Sequence, residues 1–337
     1  MPADRERLLE IAVGAVADAC VVCRRVQAHL LKSDSITKAD RSPVTVADFA
    51  SQAVVVRKLR QAFDSCPMIA EEASDALRQP GATALRGRVL DAVHAIWEDA
   101  AEDAVLDAID VGAHARVDET GFWTLDPIDG TKGFLRGQQY AVSLAWIEAG
   151  EPVLGVLGCP NMSAAFNRSF AEADPHGVIY AALAGSGVQE FTADAPTDSS
   201  RNIAIRADGA VAATPIRVCE SVESGHTSGS DRARIMDQLG DTAEPARLDG
   251  QGKYAVVARG QADAYLRIPT NRDYIEKIWD HAAGDIVARE AGCVVTDIRG
   301  ERLDYSHGDG LSRNCGVVCA TPQLHPRIID AVTKLGL

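Results

Sequence analysis

Trp123-Thr124-Leu125-Asp126-Pro127-Ile128-Asp129-Gly130-Thr131 carries the chain out of a strand and into a turn. The apolar run at 122–125 reads as β, and Asp126 ends it. Pro127 fixes the backbone and Gly130 permits a tight turn. This spacing lets Asp126 and Asp129 turn toward one point, with the carbonyl of Ile128 facing the same way. Two carboxylates and a carbonyl are hard oxygen donors, the set magnesium takes alongside water and phosphate. Taken alone, D-x-x-D-G-T is as readily a turn with two capping aspartates.

Other acidic residues stand at the ends of elements. The short apolar run 67–70 reads as a strand that closes on Glu71-Glu72. Trp279-Asp280-His281-Ala282-Ala283-Gly284 puts Asp280 at a helix start, where aspartate also serves as an N-cap. Asp48 follows Pro43 and Thr45 in a loop. In a layered α/β protein such element ends are where a shared pocket forms.

The flanks supply the layers. Apolar residues at helical spacing predict helices over 5–31 and 46–63. The intervening KADRSPVTVAD, with Pro43, is not expected to be an undisturbed helix. The acidic, alanine-rich stretch 74–120 reads as a helical excursion with a solvated face and no chemistry. Strands are expected at 122–125, 140–147 and 153–157, the last two joined as a hairpin through 148–152. The Thr/Asp/Ser/Ala/Gly-rich stretch 192–210 reads as a connection between halves. Beyond it, strand and helix alternate: strands near 215–218, 247–248, 264–267, 293–296 and 317–320, helices near 231–239, 252–258 and 280–291. A last helix is expected to open at Thr321-Pro322.

The chain has 337 residues, 46% hydrophobic and 24% charged, with a net charge of −14. That charge argues against a nucleic-acid polymer as partner. It also means that a phosphorylated small molecule needs cations gathered at its pocket, as Lys, Arg or metal. No apolar run is long enough for a bilayer. MPADRERLLE lacks the features of a secretory signal, so a cytoplasmic protein without a membrane partner is expected. Eight cysteines are scattered through apolar surroundings. Cys20-x-x-Cys23 has no second pair at zinc spacing, and Cys315 and Cys319 flank an apolar run, so all read as core residues.

The segments SPVTVADFASQ (42–52), AEE (70–72), WTLDPIDGTKGFLRGQQYAVSLA (123–145), LGVLGCPNM (154–162) and EKIWDHAAGDIVAREAGCVVTD (276–297) together resemble the 3′(2′),5′-bisphosphate nucleotidases, in the lithium-sensitive inositol monophosphatase superfamily. DPIDGT and WDHAAG are the superfamily's signatures. The longer DPIDGTKGFLRGQQY with KIWDH points to the nucleotidase branch. The resemblance implies an α/β protein layered α-β-α-β-α, with an α+β metal-binding half (1–200) and an α/β substrate half (201–337). It implies a small-molecule substrate, two to three Mg2+ per site, and a role in sulfur metabolism; a monomer is expected.

Residue by residue, the resemblance gives Glu71, Asp126 and the Ile128 carbonyl to one magnesium, and Asp126, Asp129 and Asp280 to a second. A third, held largely by water, would lie near Glu71. Asp48 and Thr131 would orient and deprotonate the attacking water, with Glu72 supporting from behind. Direct attack by water needs no Ser or Cys nucleophile, and no such motif is evident. The amides of Gly130 and Thr131 would meet the phosphate. In VESGHTSGS (222–230), RLDGQGKYA (247–255) and DAYLRIP (263–269), the residues His226, Lys253 and Arg267 would bind the nucleotide, and the two cations suit a second phosphate. The branch often has Ser where Gly250 stands, so a hydroxyl is missing there. The expected reaction is removal of the 3′-phosphate of 3′-phosphoadenosine 5′-phosphate to give AMP, with 3′-phosphoadenylyl sulfate as a further substrate. The competing readings are an inositol (poly)phosphate 1-phosphatase with the same metal chemistry, and a non-catalytic metal- or nucleotide-binding regulator.

Overall fold

Small side chains set how closely the first layer packs. In the computed structural model, which describes residues 2–32, 42–113, 121–196, 200–203, 215–222, 229–240 and 242–337, helix α1 (Pro2–Lys32) buries Ala12, Ala15, Val16, Ala19, Cys20 and Cys23 along one face. It packs on α2 (Ser42–Ala62) and on the sheet behind. A Cβ on Gly158 of that sheet would lie 2.6 Å from Cys20 Sγ, so the glycine is what lets α1 settle there. Helix α2 begins earlier than expected. Pro43 stands in its first turn, where the missing N–H costs nothing; residues 38–41 lie outside the described part.

The first sheet has seven strands in chain order: β1 (Met68–Ala70), β2 (Phe122–Asp129), β3 (Ala141–Glu148), β4 (Glu151–Cys159), β5 (Val178–Leu183), β6 (Gly187–Thr192) and β7 (Ser200–Ile203). β1 and β2 are parallel and the remaining pairs antiparallel. The β3–β4 hairpin turns on Ala149 and Gly150, with φ of 51° and 77°. Two left-handed residues match the twist of the flanking strands. β7 pairs with β6, so this sheet extends to Ile203. Of the stretch 192–210, residues 197–199 and 204–214 lie outside the described part. The excursion over 74–120 forms α3 (Asp75–Arg78), a 3-10 turn (Pro80–Ala82), α4 (Thr83–Val93) and α5 (Glu102–Ile109), and the last two cover α2; residues 114–120 are not described.

β2 is longer than the sequence suggests. It pairs Asp126 with Ser143 and Asp129 with Ala141, and its register shifts between them. Pro127 and Ile128 form this irregularity, because proline cannot donate to the ladder. A short helix, α6 (Thr131–Leu135), follows.

The second sheet has five strands in the order β11-β12-β10-β8-β9: β8 (Val218–Glu220), β9 (Ala246–Arg247), β10 (Ala264–Arg267), β11 (Val294–Thr296) and β12 (Val317–Ala320). The strand expected at 215–218 is displaced: Ile216 makes only an isolated bridge to Thr242. Helices α8 (Gly252–Ala258) and α9 (Ala282–Glu290) lie between the two sheets, sharing a core with Leu157 and Tyr180 on one side and Val317 and Cys319 on the other. The helix expected over 280–291 is split, a 3-10 turn (Ile278–Asp280) preceding α9. Helices α7 (Gly229–Leu239) and α10 (His325–Lys334) cover the outer face. α10 opens at His325 with Pro326 in its first turn. The Thr321 carbonyl accepts the N–H groups of Leu324 and His325, so Thr321-Pro322 forms a turn before the helix. The layers therefore run α-β-α-β-α.

Candidate active site

The acidic wall is organised from α2. Asp48, Ser51 and Gln52 share one face of that helix at i, i+3 and i+4, and all are buried. Ser51 Oγ donates to the Pro127 carbonyl at 3.1 Å and holds the β2 irregularity. Gln52 Nε2 donates to the carbonyls of Glu72 and Ile109 at 2.7 Å each, and its Oε1 accepts the Glu72 N–H. Asp126 Oδ1 accepts the Ile128 N–H at 3.0 Å, which fixes the carboxylate.

Glu71, Asp126, Ile128, Asp129, Gly130, Thr131 and Asp280 then line one cleft of about 340 Å³. The carboxyls of Glu71 and Asp126 are within hydrogen-bonding reach of each other. Burial, and then the charges of Glu71, Asp129 and Asp280, push Asp126 well above the usual carboxylate range. Burial and Asp129 raise Asp280 to about 8, Arg267 opposing. Burial and Glu71 raise Glu72 to about 7. Asp280 is not spent as a helix cap, since no side chain caps α9. Asp48 lies behind the cleft; burial, then Glu72 and Glu71, raise its pKa, and its Oδ1 has no hydrogen-bond partner.

The opposite wall carries Lys253 and Arg267. Lys253, on α8, is buried and donates to the Gly250 carbonyl at 2.8 Å. Its Nζ sits 5.2 Å from the Tyr265 ring centroid. Burial pulls its pKa down, with Asp129 and Asp249 opposing. Arg267, on β10, forms a two-pronged ion pair with Glu276: Nε to Oε1 at 2.8 Å and Nη2 to Oε2 at 2.6 Å. Burial works against ionised Glu276, but His281 and Arg267 outweigh it and bring its pKa to about 2.

The two walls meet at a seam without side chains. Gly130 has φ 93° and Gly250 φ 76°. A Cβ on Gly250 would lie 2.4 Å from the Asp129 carbonyl oxygen, and one on Gly130 would lie 2.9 Å from the Gly250 nitrogen. The absence of a serine hydroxyl at 250 is therefore a backbone requirement in this chain. Arg136 and Asp249 form an ion pair across the same seam.

The residues fit a divalent cation. Among the described residues no Lys or Arg forms an ion pair with Glu71, Asp126, Asp129 or Asp280. Four clustered carboxylates, three of them (Glu71, Asp126 and Asp280) with pKa values raised by burial and by their neighbours' charge, with the Ile128 backbone beside them, are a donor set lacking its positive charge. Glu276, Asp280 and His281 also place ligand atoms within 4.8 Å of one another. Glu276 and His281 are already bonded to Arg267 and Tyr254, so Asp280 belongs with the cleft carboxylates.

Of the residues singled out in the sequence, Glu71, Asp126, Ile128, Asp129, Gly130, Thr131, Asp280, Lys253 and Arg267 come together in the cleft. Asp48 stands behind it, and no hydrogen bond joins it to Thr131. Glu72 is beside Asp48. His226 lies outside the described residues. Sequence reasoning missed Ser51, Gln52, Tyr254, Tyr265, Glu276 and His281. Ser51 and Gln52 had a signal, a polar stripe shared with Asp48 in an otherwise apolar helix; the buried Glu276 pair had none.

Residues 4–337 match the inositol monophosphatase family. The chain is 40% identical to a 3′(2′),5′-bisphosphate nucleotidase of Emericella nidulans, over 99% of each sequence. It is 37% identical to a 3′(2′),5′-bisphosphate nucleotidase of Schizosaccharomyces pombe, over 97% of this chain and 95% of that one. The fold superposes on the inositol monophosphatase of Anabaena with a TM-score of 0.60 at 19% identity, covering 98% of this chain and 97% of the other. An acidic cluster at an irregular strand end, this layered fold and matches along the whole length agree: the chain belongs to the inositol monophosphatase family.

Proposed function

We propose that the protein is a magnesium-dependent 3′(2′),5′-bisphosphate nucleotidase that hydrolyses the 3′-phosphate of 3′-phosphoadenosine 5′-phosphate to AMP and phosphate, and acts likewise on 3′-phosphoadenylyl sulfate. One observation carries this reading: four carboxylates with no ion-paired Lys or Arg among the described residues share a cleft with Lys253 and Arg267. A single phosphate needs only the first group; a second phosphate gives the two cations their use. The names of the relatives agree with it.

Glu71, Asp126 and the Ile128 carbonyl would hold one Mg2+, Asp126, Asp129 and Asp280 another, and a third would lie near Glu71. Bound there, magnesium supplies positive charge to the phosphoryl oxygens and eases deprotonation of water. Thr131 lines the cleft, and its amide and that of Gly130 would contact the phosphate to be removed. Asp48, with one unbonded oxygen, and Thr131 would together take the proton of the attacking water, a pairing that no hydrogen bond makes before substrate binds. Water's oxygen bonds to phosphorus, the phosphorus–O3′ bond breaks, and the proton taken from the attacking water is returned by way of solvent to O3′. Glu72, beside Asp48, helps to raise its pKa and so keeps it a stronger base. Lys253 and Arg267 bind the 5′-phosphate, and His226 binds the nucleoside.

All eight cysteines are unpaired, which fits a reducing compartment such as the cytoplasm. No helix among the described residues is long and apolar enough to cross a membrane. We place the enzyme, as a monomer, in sulfur metabolism, where the sulfate donor's by-product must be cleared. The test is phosphate release from 3′-phosphoadenosine 5′-phosphate with and without Mg2+, beside inositol 1-phosphate and inositol 1,4-bisphosphate. Magnesium-dependent release from the nucleotide alone, inhibited by lithium, supports the reading. Release only from the inositol phosphates would replace it by the polyol reading, and binding without turnover would favour a regulator.

A further inference from the structure

Arg267 and the acidic wall stand within reach of each other. The carboxylate oxygens of Glu276 and Asp280 lie within 4.8 Å, and Arg267 Nη2 is 2.6 Å from Glu276 Oε2. Arg267 and Asp280 line the same cleft. A guanidinium released from Glu276 would meet Asp280 next, and a protein cation there competes with a metal for the same oxygens.

The carboxylate that prevents this is itself held in place. Glu276 is 3% exposed, and its carbonyl accepts the Leu311 N–H at 2.8 Å. His281 Nε2 lies 3.4 Å from Glu276 Oε2, and His281 Nδ1 lies 2.8 Å from the Tyr254 hydroxyl. The carboxylate only accepts, so Nε2 carries a hydrogen toward Glu276, while Nδ1 is paired with the Tyr254 hydroxyl. The Tyr254 and Tyr265 rings meet edge to face at 5.1 Å, and Tyr265 underlies Lys253. Tyr265 and Arg267 lie two residues apart on β10, on the same side of the sheet. Tyr265, Tyr254, His281, Glu276 and Arg267 thus form a ring under the cation wall, with Lys253 seated over Tyr265. Its only carboxylate is Glu276.

We propose that Glu276 is a positioning residue that keeps Arg267 off Asp280, so that the carboxylates stay available to metal and the guanidinium to a second phosphate. This rests on the reading of Arg267 as a second-phosphate ligand. Neutralising Arg267 has the opposite expected effect: if that were the role of Glu276, its removal would strengthen binding of the bisphosphate.

The experiment compares wild type, Glu276→Gln, Arg267→Gln and the double variant by two readouts. The first is the Mg2+ concentration that raises the melting temperature half-maximally, without substrate. The second is the ratio of kcat/KM for adenosine 3′,5′-bisphosphate to that for adenosine 3′-monophosphate. Glu276→Gln should raise the Mg2+ midpoint about tenfold and lower the ratio about tenfold. Adding Arg267→Gln should return the Mg2+ midpoint to within about twofold of wild type while the ratio stays low. An unchanged midpoint in Glu276→Gln, no recovery in the double variant, or a higher ratio in Glu276→Gln would overturn the proposal. A wild-type ratio near unity would instead remove the second-phosphate reading and leave the Mg2+ comparison standing. Should Glu276→Gln fail to fold, Tyr254→Phe frees His281 from the far side. It should move both readouts in the same direction by about threefold, and no movement would overturn the proposal.

Discussion

On one side of the cleft Glu71, Asp126, Asp129 and Asp280 face one another with no positive partner among the described residues; on the other, Arg267 is matched by Glu276 and Lys253 is bonded to a carbonyl and an aromatic face. The first arrangement costs folding free energy, since like charges at reduced dielectric repel. The second is complete before anything binds. The acidic wall therefore depends on what it binds for its stability, and the cationic wall is preorganised. A site that must recruit metal and also recognise a phosphate ester has reason to keep these tasks on separate elements.

The strongest way to break this contrast is to remove one unmatched carboxylate. Asp129→Asn should lower kcat about a thousandfold or more, as expected for loss of a metal ligand, while leaving the metal-free protein as stable as wild type or more so. Phosphate release and thermal unfolding without divalent cation check both parts, and a destabilised apo protein would contradict the account of repulsion. Gly250→Ala should come next, because it forces a Cβ against the Asp129 carbonyl at a positive φ. A loss of about 1–3 kcal/mol in unfolding free energy is expected, with a fall in kcat; a variant of wild-type stability would mean the seam can open freely.

The pH dependence sharpens the comparison. Ordinary carboxylate pKa values lie near 4, whereas Glu72 is raised to about 7 and Asp280 to about 8 in the folded, metal-free protein. A raised pKa gives stability that is fully present below the ordinary value and is lost as pH rises through the folded one. The gain in melting temperature from Mg2+ should accordingly be small at pH 5 and grow to pH 8, with protons released on binding. Calorimetry in buffers of different ionisation enthalpy measures that release, and none at pH 6 would count against the assignment. On the finished wall, Lys253→Met should mainly raise KM for the bisphosphate, by about tenfold, with kcat little changed. Initial-rate kinetics decides it; an unchanged KM would make Lys253 a packing residue.

The sequence made the acidic wall legible because its residues sit at element ends inside short motifs. DPIDGT shows a strand running into a glycine turn, and the bulge at Pro127–Ile128 follows from proline's missing donor. Much of the second half was also readable, α8 and β10 falling where periodicity puts them. The errors have local causes. Pro43 was read as a break, yet it occupies a first helical turn, and Thr321-Pro322 was read as a helix start, yet it closes a turn. The ring under the cation wall was not readable, because Tyr254, Tyr265, Glu276 and His281 are brought together by the packing of α8 and α9 between two sheets. Gly250 was read as a lost hydroxyl, since a sequence does not reveal a neighbour 2.4 Å from a Cβ that is not there.

The paired glycines at 130 and 250 have one more consequence. Side chains around the cleft can change identity and retune charge, reach or polarity one at a time. The gap between the walls is fixed differently, by main chain resting against main chain, so it has no intermediate setting. Substrate preference can therefore drift by substitution at the rim, while the width of the jaw stays constant. Ligands of different chemistry but similar span are the alternatives open to this scaffold, and a longer or shorter one would need the joint itself rebuilt.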